Sequence, residues 1–371
     1  MVICVAEDRA SCEPALRVLL ASLDTFSPGE TVWLYLGPSS PGFVAWLERF
    51  PNLSVRPFPR GDKGWNIKPT VLLEALDAGY AEAVWIDSDI VFTGDFRREL
   101  DRAPEGALVS TEESAWGSPH DGDAERARAW GFDVARALPC TVNTCVLKVT
   151  ARHHRLLERW KDLQRTPNYL AAQELPQMSR PIHLNGGQDI LTAMLCTKEF
   201  AEFDVFLIRR GVGILQAFGL KGFTTRERLA ALVRGMPPMI HTQVFKPWLV
   251  KSRRDVGDGV YSALNLIYLD ASPYTIYAAK YAASLDDPTW LNARTTMGRL
   301  LRLLGLGSAP LTGLPAAIAF DLVFGLAGLV RRSPKSRRPA ALTSAGADGS
   351  AWRSAMDPQA TARGATNEGR T

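Results

Sequence analysis

The sequence has little that would tie it to a disulfide-built, strongly charged or secreted class. Cysteine is sparse: Cys4, Cys12, Cys140, Cys145 and Cys196 are scattered, odd in number and form no C-x-x-C pair. That argues against a disulfide framework and fits reduced thiols in a cytoplasmic compartment, acting as small buried hydrophobes. Excess charge is also lacking, because the net +4 belongs to one end of the chain. From Arg331 onward eight Arg or Lys face three Asp or Glu, so the preceding 330 residues carry about −1. On charge grounds the body is not a nucleic-acid binder. The start, Met1-Val-Ile-Cys-Val-Ala-Glu-Asp8, has no basic n-region, and its apolar run is too short for a signal peptide. It reads as a first strand. With 46% hydrophobic and 22% charged residues, the 371-residue chain can bury one large core or two moderate ones.

What is present centres on Ala83-Val-Trp-Ile-Asp87-Ser-Asp89-Ile-Val-Phe92. An apolar run of strand length climbs to two carboxylates spaced i, i+2. In an extended chain side chains alternate faces, so Asp87 and Asp89 are expected to point the same way. Two like charges held that close repel unless a cation lies between them. The spacing therefore reads as a hard-metal site at the carboxyl end of a buried strand, where open α/β sheets bind ligands.

The rest of the chain alternates strands with helices of about ten residues. Strands are expected at 2–6, 31–36, 53–58, 107–110, 141–149, 203–208 and 239–240. Helices are expected at 14–23 with Ser11 as its cap, at 42–50, and at 67–76 with Pro69 in the first turn. Further helices are expected at 152–164, with His153 and His154 solvated at its start, and at 190–195 after Asn185-Gly-Gly-Gln-Asp189. Residues 112–139, polar and carrying Trp116 and Trp130, read as a helix-containing excursion over the sheet edge. The alternation predicts an α/β fold with a mostly parallel sheet covered on both faces.

Five stretches in order carry a resemblance: Val5-Ala-Glu-Asp8, Trp85-Ile-Asp-Ser-Asp89, Asn143-Thr-Cys-Val146, Gly187-Gln-Asp-Ile-Leu191, and His241 followed by Lys246-Pro-Trp248. Over residues 1 to 250 the chain resembles the nucleotide-diphosphosugar glycosyltransferases of the GT-A fold, most closely the retaining glycosyltransferase family 8. The resemblance implies that Ala6 and Asp8 contact the nucleotide base. Asp87 and Asp89 would hold Mn²⁺ or Mg²⁺, with Asp87 also near the ribose and His241 as third ligand. His183 is the alternative ligand. Lys246 would reach the diphosphate. Gln188 and Asp189 would lie beside the transferred sugar, oriented in part by Asn143. Gly187 stands where the family often has an acidic residue, so sugar-hydroxyl contacts there are expected to differ. Cys145 replaces a usual glycine, and the His241–Lys246 spacing is one residue short. Trp65-Asn-Ile-Lys-Pro69 also resembles a segment of bacterial relatives, making Lys68 a phosphate or sugar contact.

The chemistry agrees with that pattern. Transfer from a nucleotide sugar expels a diphosphate whose charge grows in the transition state, and a divalent Lewis acid with a nearby lysine stabilises it. Two carboxylates suit Mn²⁺ or Mg²⁺, and one imidazole favours Mn²⁺. Retention would let the departing oxygen act as base, with Asp189 as the candidate if a protein nucleophile is used. Two other functions fit parts of the sequence. Asp87-x-Asp89 also matches the motif of a haloacid-dehalogenase-type phosphatase, which would need a later acidic pair such as Asp286-Asp287. A non-catalytic sugar-nucleotide or glycan-binding module would keep the fold alone.

Three regions are expected: a catalytic domain at 1–290, a basic and apolar helical segment at 291–330, and a basic disordered tail at 331–371. Arg299 and Arg302 alternate with leucines through 294–306, and 311–330 is almost wholly apolar around Pro315 and Asp321. Spanning a bilayer would export the following cluster Arg331–Arg338 against the positive-inside rule. In-plane attachment to an anionic membrane surface, on the cytoplasmic side and beside a glycan or lipid-linked acceptor, avoids that conflict.

Overall fold

The computed structural model describes residues 1–331 except 60, 62–63, 114–120, 218, 220–221, 244 and 251–259. All but Arg331 of the disordered tail expected at 331–371, with most of its basic cluster, and Trp116 lie outside the described residues.

Among the described residues ten strands carry the architecture: β1 Val2–Glu7, β2 Val32–Leu36, β3 Leu53–Pro57, β4 Glu82–Ile86, β5 Ile90–Phe92, β6 Leu108–Glu113, β7 Thr141–Thr150, β8 Val205–Ile208, β9 Ile214–Gln216 and β10 Met239–His241. Seven form one sheet in the order β3-β2-β1-β4-β7-β6-β8. The first four are parallel, β7 runs antiparallel to both β4 and β6, and β8 is parallel to β6. The α/β fold with a mostly parallel sheet is thus what the alternating pattern led one to expect. Pro57 sits in β3, the edge strand, where a missing N–H is tolerated.

Both faces of the sheet are buried, as parallel strands require. Val2 and Cys4 of β1 point into a core with the helices Lys68–Asp77, His154–Gln164 and Gly187–Leu195. Ile3 and Val5 point into the opposite core, against the helices Glu13–Phe26 and Pro41–Leu47. Two-residue periodicity in a fully apolar strand therefore feeds two cores at once.

The expected single strand through Asp87 and Asp89 is instead two strands in two sheets. After Ile86 the chain turns, with the Ile90 N–H donating to the Asp87 carbonyl at 3.3 Å. β5 then joins a three-stranded sheet, β5-β10-β9. The two carboxylates converge because a turn folds them together, and strand alternation has no part in it. Other expectations also shift. Ser11 lies in a 3₁₀ turn, Ala10–Cys12, and Cys12 precedes the helix without a side-chain cap. The helix after Asn185 begins at Gly187, so Gln188 and Asp189 stand in its first turn. His153 is fully buried rather than solvated. Its Nδ1 accepts from the Thr150 N–H at 3.0 Å, and burial holds the imidazole down to about 4. His154 is part-exposed and contacts Asp77 at 3.0 Å.

Candidate active site

The site forms where β1 and β4, adjacent and parallel, end together. Ser88 Oγ donates to Glu7 Oε2 at 2.7 Å across that gap, and Arg9 grips the same Glu7 carboxylate through Nε at 2.7 Å and Nη2 at 2.9 Å. Asp8 accepts from the Gly64 N–H at 3.0 Å, while Ala6 packs half-buried at the strand end. Gly37 closes the wall from β2. A Cβ there would lie 2.8 Å from the Asp8 Cα, so only glycine allows this approach.

β10 pairs antiparallel with β5, setting His241 opposite Ile90. The Thr242 N–H donates to the Asp89 carbonyl at 3.1 Å, which brings the imidazole to the acidic turn from 152 residues along the chain. His241 Nε2 is 3.3 Å from Asp89 Oδ1 and 3.9 Å from Asp87 Oδ2. One ligand atom from each of Asp87, Asp89 and His241 lies within 4.8 Å of the others. His183 is elsewhere, edge-on to Trp130 at 5.7 Å.

Each carboxylate also has a lysine. Lys246 Nζ donates to Asp89 Oδ2 and, at 2.8 Å, to the Thr242 carbonyl. Lys68 is buried, and its three donors reach Asp87 Oδ1 at 2.7 Å, Thr144 O at 3.0 Å and Thr144 Oγ1 at 3.1 Å. The Trp85 indole N–H donates to that same Asp87 oxygen at 2.6 Å, leaving Oδ2 turned toward His241. The pattern dictates the charge states. Burial by itself would raise the Asp89 carboxyl, but Lys246 and His241 override it and hold it far below the usual range. Burial likewise disfavours the His241 imidazolium, and the Asp89 carboxylate more than offsets this.

A metal ion fits this donor set. Two carboxylates and an imidazole converging on one point, with a second oxygen of Asp87 already engaged, suit a hard to borderline divalent cation such as Mn²⁺ or Mg²⁺.

β7 ties the rest of the site to this centre. The Asp87 N–H donates to the Cys145 carbonyl at 2.8 Å. Asn143 donates through Nδ2 to Glu113 Oε2 at 2.6 Å and accepts from the Cys145 N–H at 2.9 Å. Gln243 Nε2 meets the same Glu113 oxygen at 2.8 Å. Cys145, in place of the glycine expected by resemblance, is buried with its sulfur 3.3 Å from Thr111 Oγ1.

The helix Gly187–Leu195 carries the remaining residues. The Val142 N–H donates to Thr192 Oγ1 at 3.1 Å, and that hydroxyl donates to the Gln188 carbonyl at 2.8 Å. Gly187 is packed inward, its carbonyl accepting from the Trp160 indole at 2.9 Å. Asp189 is 3% exposed and paired with Arg126 at 3.0 Å. Burial pushes its carboxyl up to about 6 despite that pair. Arg126 comes from the helix Asp121–Ala129 inside the polar excursion, and sequence reasoning gave it no role. Glu113, Gln243 and Trp85 were also missed. Trp85 lies inside a stretch that carries the resemblance, whereas the sequence signal for Glu113 and Gln243 is position alone, at the end of or just past a strand that enters the site.

No family model and no curated protein matches the sequence. Among solved structures the chain is similar to an apo structure of the bifunctional glycosyltransferase WbbM, at 13% identity and a TM-score of 0.42, covering 76% of this chain. The chain spans about half the length of that protein, 51%. It is also similar to the galactosyltransferase LgtC in complex with donor and acceptor sugar analogues, at 15% identity and a TM-score of 0.44, covering 77% of this chain and 97% of the other. A third is mouse xyloside xylosyltransferase 1 in its apo form, at 14% identity and a TM-score of 0.39, covering 66% and 98%.

Proposed function

We propose that the protein is a metal-dependent glycosyltransferase that moves a hexose from a nucleotide-diphosphate sugar, a UDP-sugar by resemblance, to a glycan or lipid-linked acceptor with retention. One observation carries the reading: Asp87, Asp89 and His241 converge within 4.8 Å at the carboxyl end of the sheet, with a lysine on each carboxylate. A Mn²⁺ or Mg²⁺ ion held by these three would supply Lewis-acid charge to the leaving diphosphate. The chain's own residues divide the remaining work. Lys246, half-buried beside Asp89, meets the phosphates. Lys68 and Trp85 hold one oxygen of Asp87, which would leave the other available to an ion. Asp8 and Ala6, at the rim of β1, take the base, and Asn143, Gly187, Gln188 and Asp189 border the sugar.

The phosphatase reading is not favoured, because Asp286 pairs with Arg17 and Asp287 caps the turn at Thr289, neither of them in a strand. The transferase reading is tested by thermal shift and product release with a panel of nucleotide sugars. Mn²⁺ together with the right donor should raise the melting temperature, because ligands that bind only the native state stabilise it. Slow metal-dependent release of nucleoside diphosphate should accompany the shift. Release of inorganic phosphate instead points to a phosphatase, and stabilisation without turnover points to a binding module.

Membrane-surface attachment is part of the proposal. Among the described residues no helix is long and apolar enough to cross a membrane. The helix Thr296–Leu304 nonetheless leaves Leu300, Leu303 and Leu304 exposed, and Leu306 is 84% exposed at a left-handed φ of 48°. A leucine in strained backbone with its side chain in water gains nothing within the chain, which supports insertion into a lipid interface. Co-sedimentation with anionic but not zwitterionic vesicles is the expected result. Equal recovery in both supernatants removes this part of the reading.

A further inference from the structure

The segment after residue 288 reaches back to the site through one side chain. Arg294 Nη2 donates to the Pro247 carbonyl at 2.6 Å, and its Nε donates to the Val250 carbonyl at 3.0 Å. These two oxygens belong to the first residue of the 3₁₀ turn Pro247–Leu249 and to the residue that follows it. The Nη1 and backbone N–H of the same arginine hold Asp270 Oδ1 at 3.2 and 2.9 Å. Asp270 is fully buried, and its other oxygen accepts from the Thr295 N–H and hydroxyl, each at 2.8 Å. Beside this clamp Trp290 lies edge-on to Trp248 at 6.2 Å, and Tyr274 packs on Trp248 at 5.7 Å. The residue that enters the clamped turn is Lys246, whose carbonyl accepts from the Leu249 N–H at 3.0 Å and whose ammonium lies on Asp89.

We infer that Arg294 is a positioning residue for Lys246, fixing the turn that aims its ammonium at the metal carboxylates and at the donor's phosphates. The second half of that statement rests on the function proposed above. A guanidinium suits the task because its rigid fork can bridge two carbonyls while its charge stays against a buried carboxylate. Lysine has one nitrogen and cannot span both carbonyls and Asp270. The region around Arg294 is therefore part of the catalytic unit, although it lies 47 residues beyond Pro247.

The test is a double-mutant cycle on the full chain with saturating Mn²⁺, reading the affinity for UDP, GDP and ADP by calorimetry. Arg294→Met should weaken binding of the preferred diphosphate about tenfold. In the Lys246→Met background the same change should have no further effect, because the group it positions is gone. Arg294→Lys, which keeps the charge beside Asp270, should give an intermediate loss with the same dependence on Lys246. It decides the question if the methionine variant does not fold. An equal loss with and without Lys246 means that Arg294 acts on the fold at large, and the inference is overturned. Unchanged affinity in Arg294→Met, against a wild type that binds a diphosphate, overturns it as well. A wild type that binds none of the three overturns the proposed function and this inference with it.

Discussion

At the scale of single residues, the site is a set of opposed charges whose separation is fixed by burial. Asp89 meets both His241 and Lys246, so Asp89→Ala removes one of the three groups that could hold an ion and leaves a buried imidazole and a half-buried ammonium without their carboxylate. Diphosphate release should fall at least about a hundredfold, near 3 kcal/mol of transition-state stabilisation. Unchanged turnover in that variant would place the chemistry elsewhere. Asp87→Asn should cost less, since the amide keeps one oxygen. Asp189 makes a different prediction. Its carboxyl sits at about 6 in the folded chain against 3.8 ordinarily, because burial outweighs the pull of Arg126. Between those values the native state holds a proton that the unfolded state has lost, so stability falls as pH rises through this window. Two units correspond to roughly 3 kcal/mol. Denaturant unfolding near pH 4 and pH 7 should show this slope in the wild type and a flatter one in Asp189→Asn.

At the scale of elements, the acidic turn and the strand ends around it decide the geometry. Asp87-Ser-Asp89 was legible as a metal motif, yet the reason given for its convergence was mistaken. Periodicity describes residues within one strand, and nothing local marks the point where a strand leaves one sheet for another. The pairing of β5 with β10, which sets the acidic turn beside His241, is a contact between segments about 150 residues apart. His153 was misread for a similar reason: its neighbours in sequence are charged, but it packs at 4.9 Å on Phe203. The close approach of β1 and β2 can be probed directly. Gly37→Ala would set a Cβ against the Asp8 backbone, which cannot swing away as a side chain could. Nucleotide affinity should drop at least severalfold while the far end of the sheet keeps its amide protection, as native-state hydrogen exchange would report. Full affinity in the alanine variant would show that the strand ends can spread without cost.

At the scale of the whole molecule, a buried carboxylate on the helix Val260–Ala271 holds the segment that begins at Arg294. Asp270 is fully buried and accepts four hydrogen bonds from Arg294 and Thr295, while its carbonyl accepts from Arg302 Nε at 2.7 Å. Arg228 holds the next stretch through the carbonyls of Ala309, Pro310 and Thr312. Of the two arginines that alternate with leucines in this segment, Arg302 is thus engaged inward, whereas Arg299 is exposed. Asp270→Ala strands a buried guanidinium and should cost about 3–5 kcal/mol. It should also speed proteolytic cleavage near residues 291–313. Unaltered cleavage kinetics would mean that this segment holds its place by apolar packing alone.

The sequence alone determined the alternation of strands and helices, the two-sided burial of the sheet and the types of residue that could hold a cation. These follow from side-chain polarity at short range, where the period of the backbone turns composition into a face. Only the tertiary structure decided how His241 is brought beside the acidic pair, that Arg126 sits on Asp189, and that Arg294 grips the loop behind Lys246. Such pairings depend on loop closure and sheet order, and chemistry that appears only when remote segments meet leaves no periodic trace in the chain.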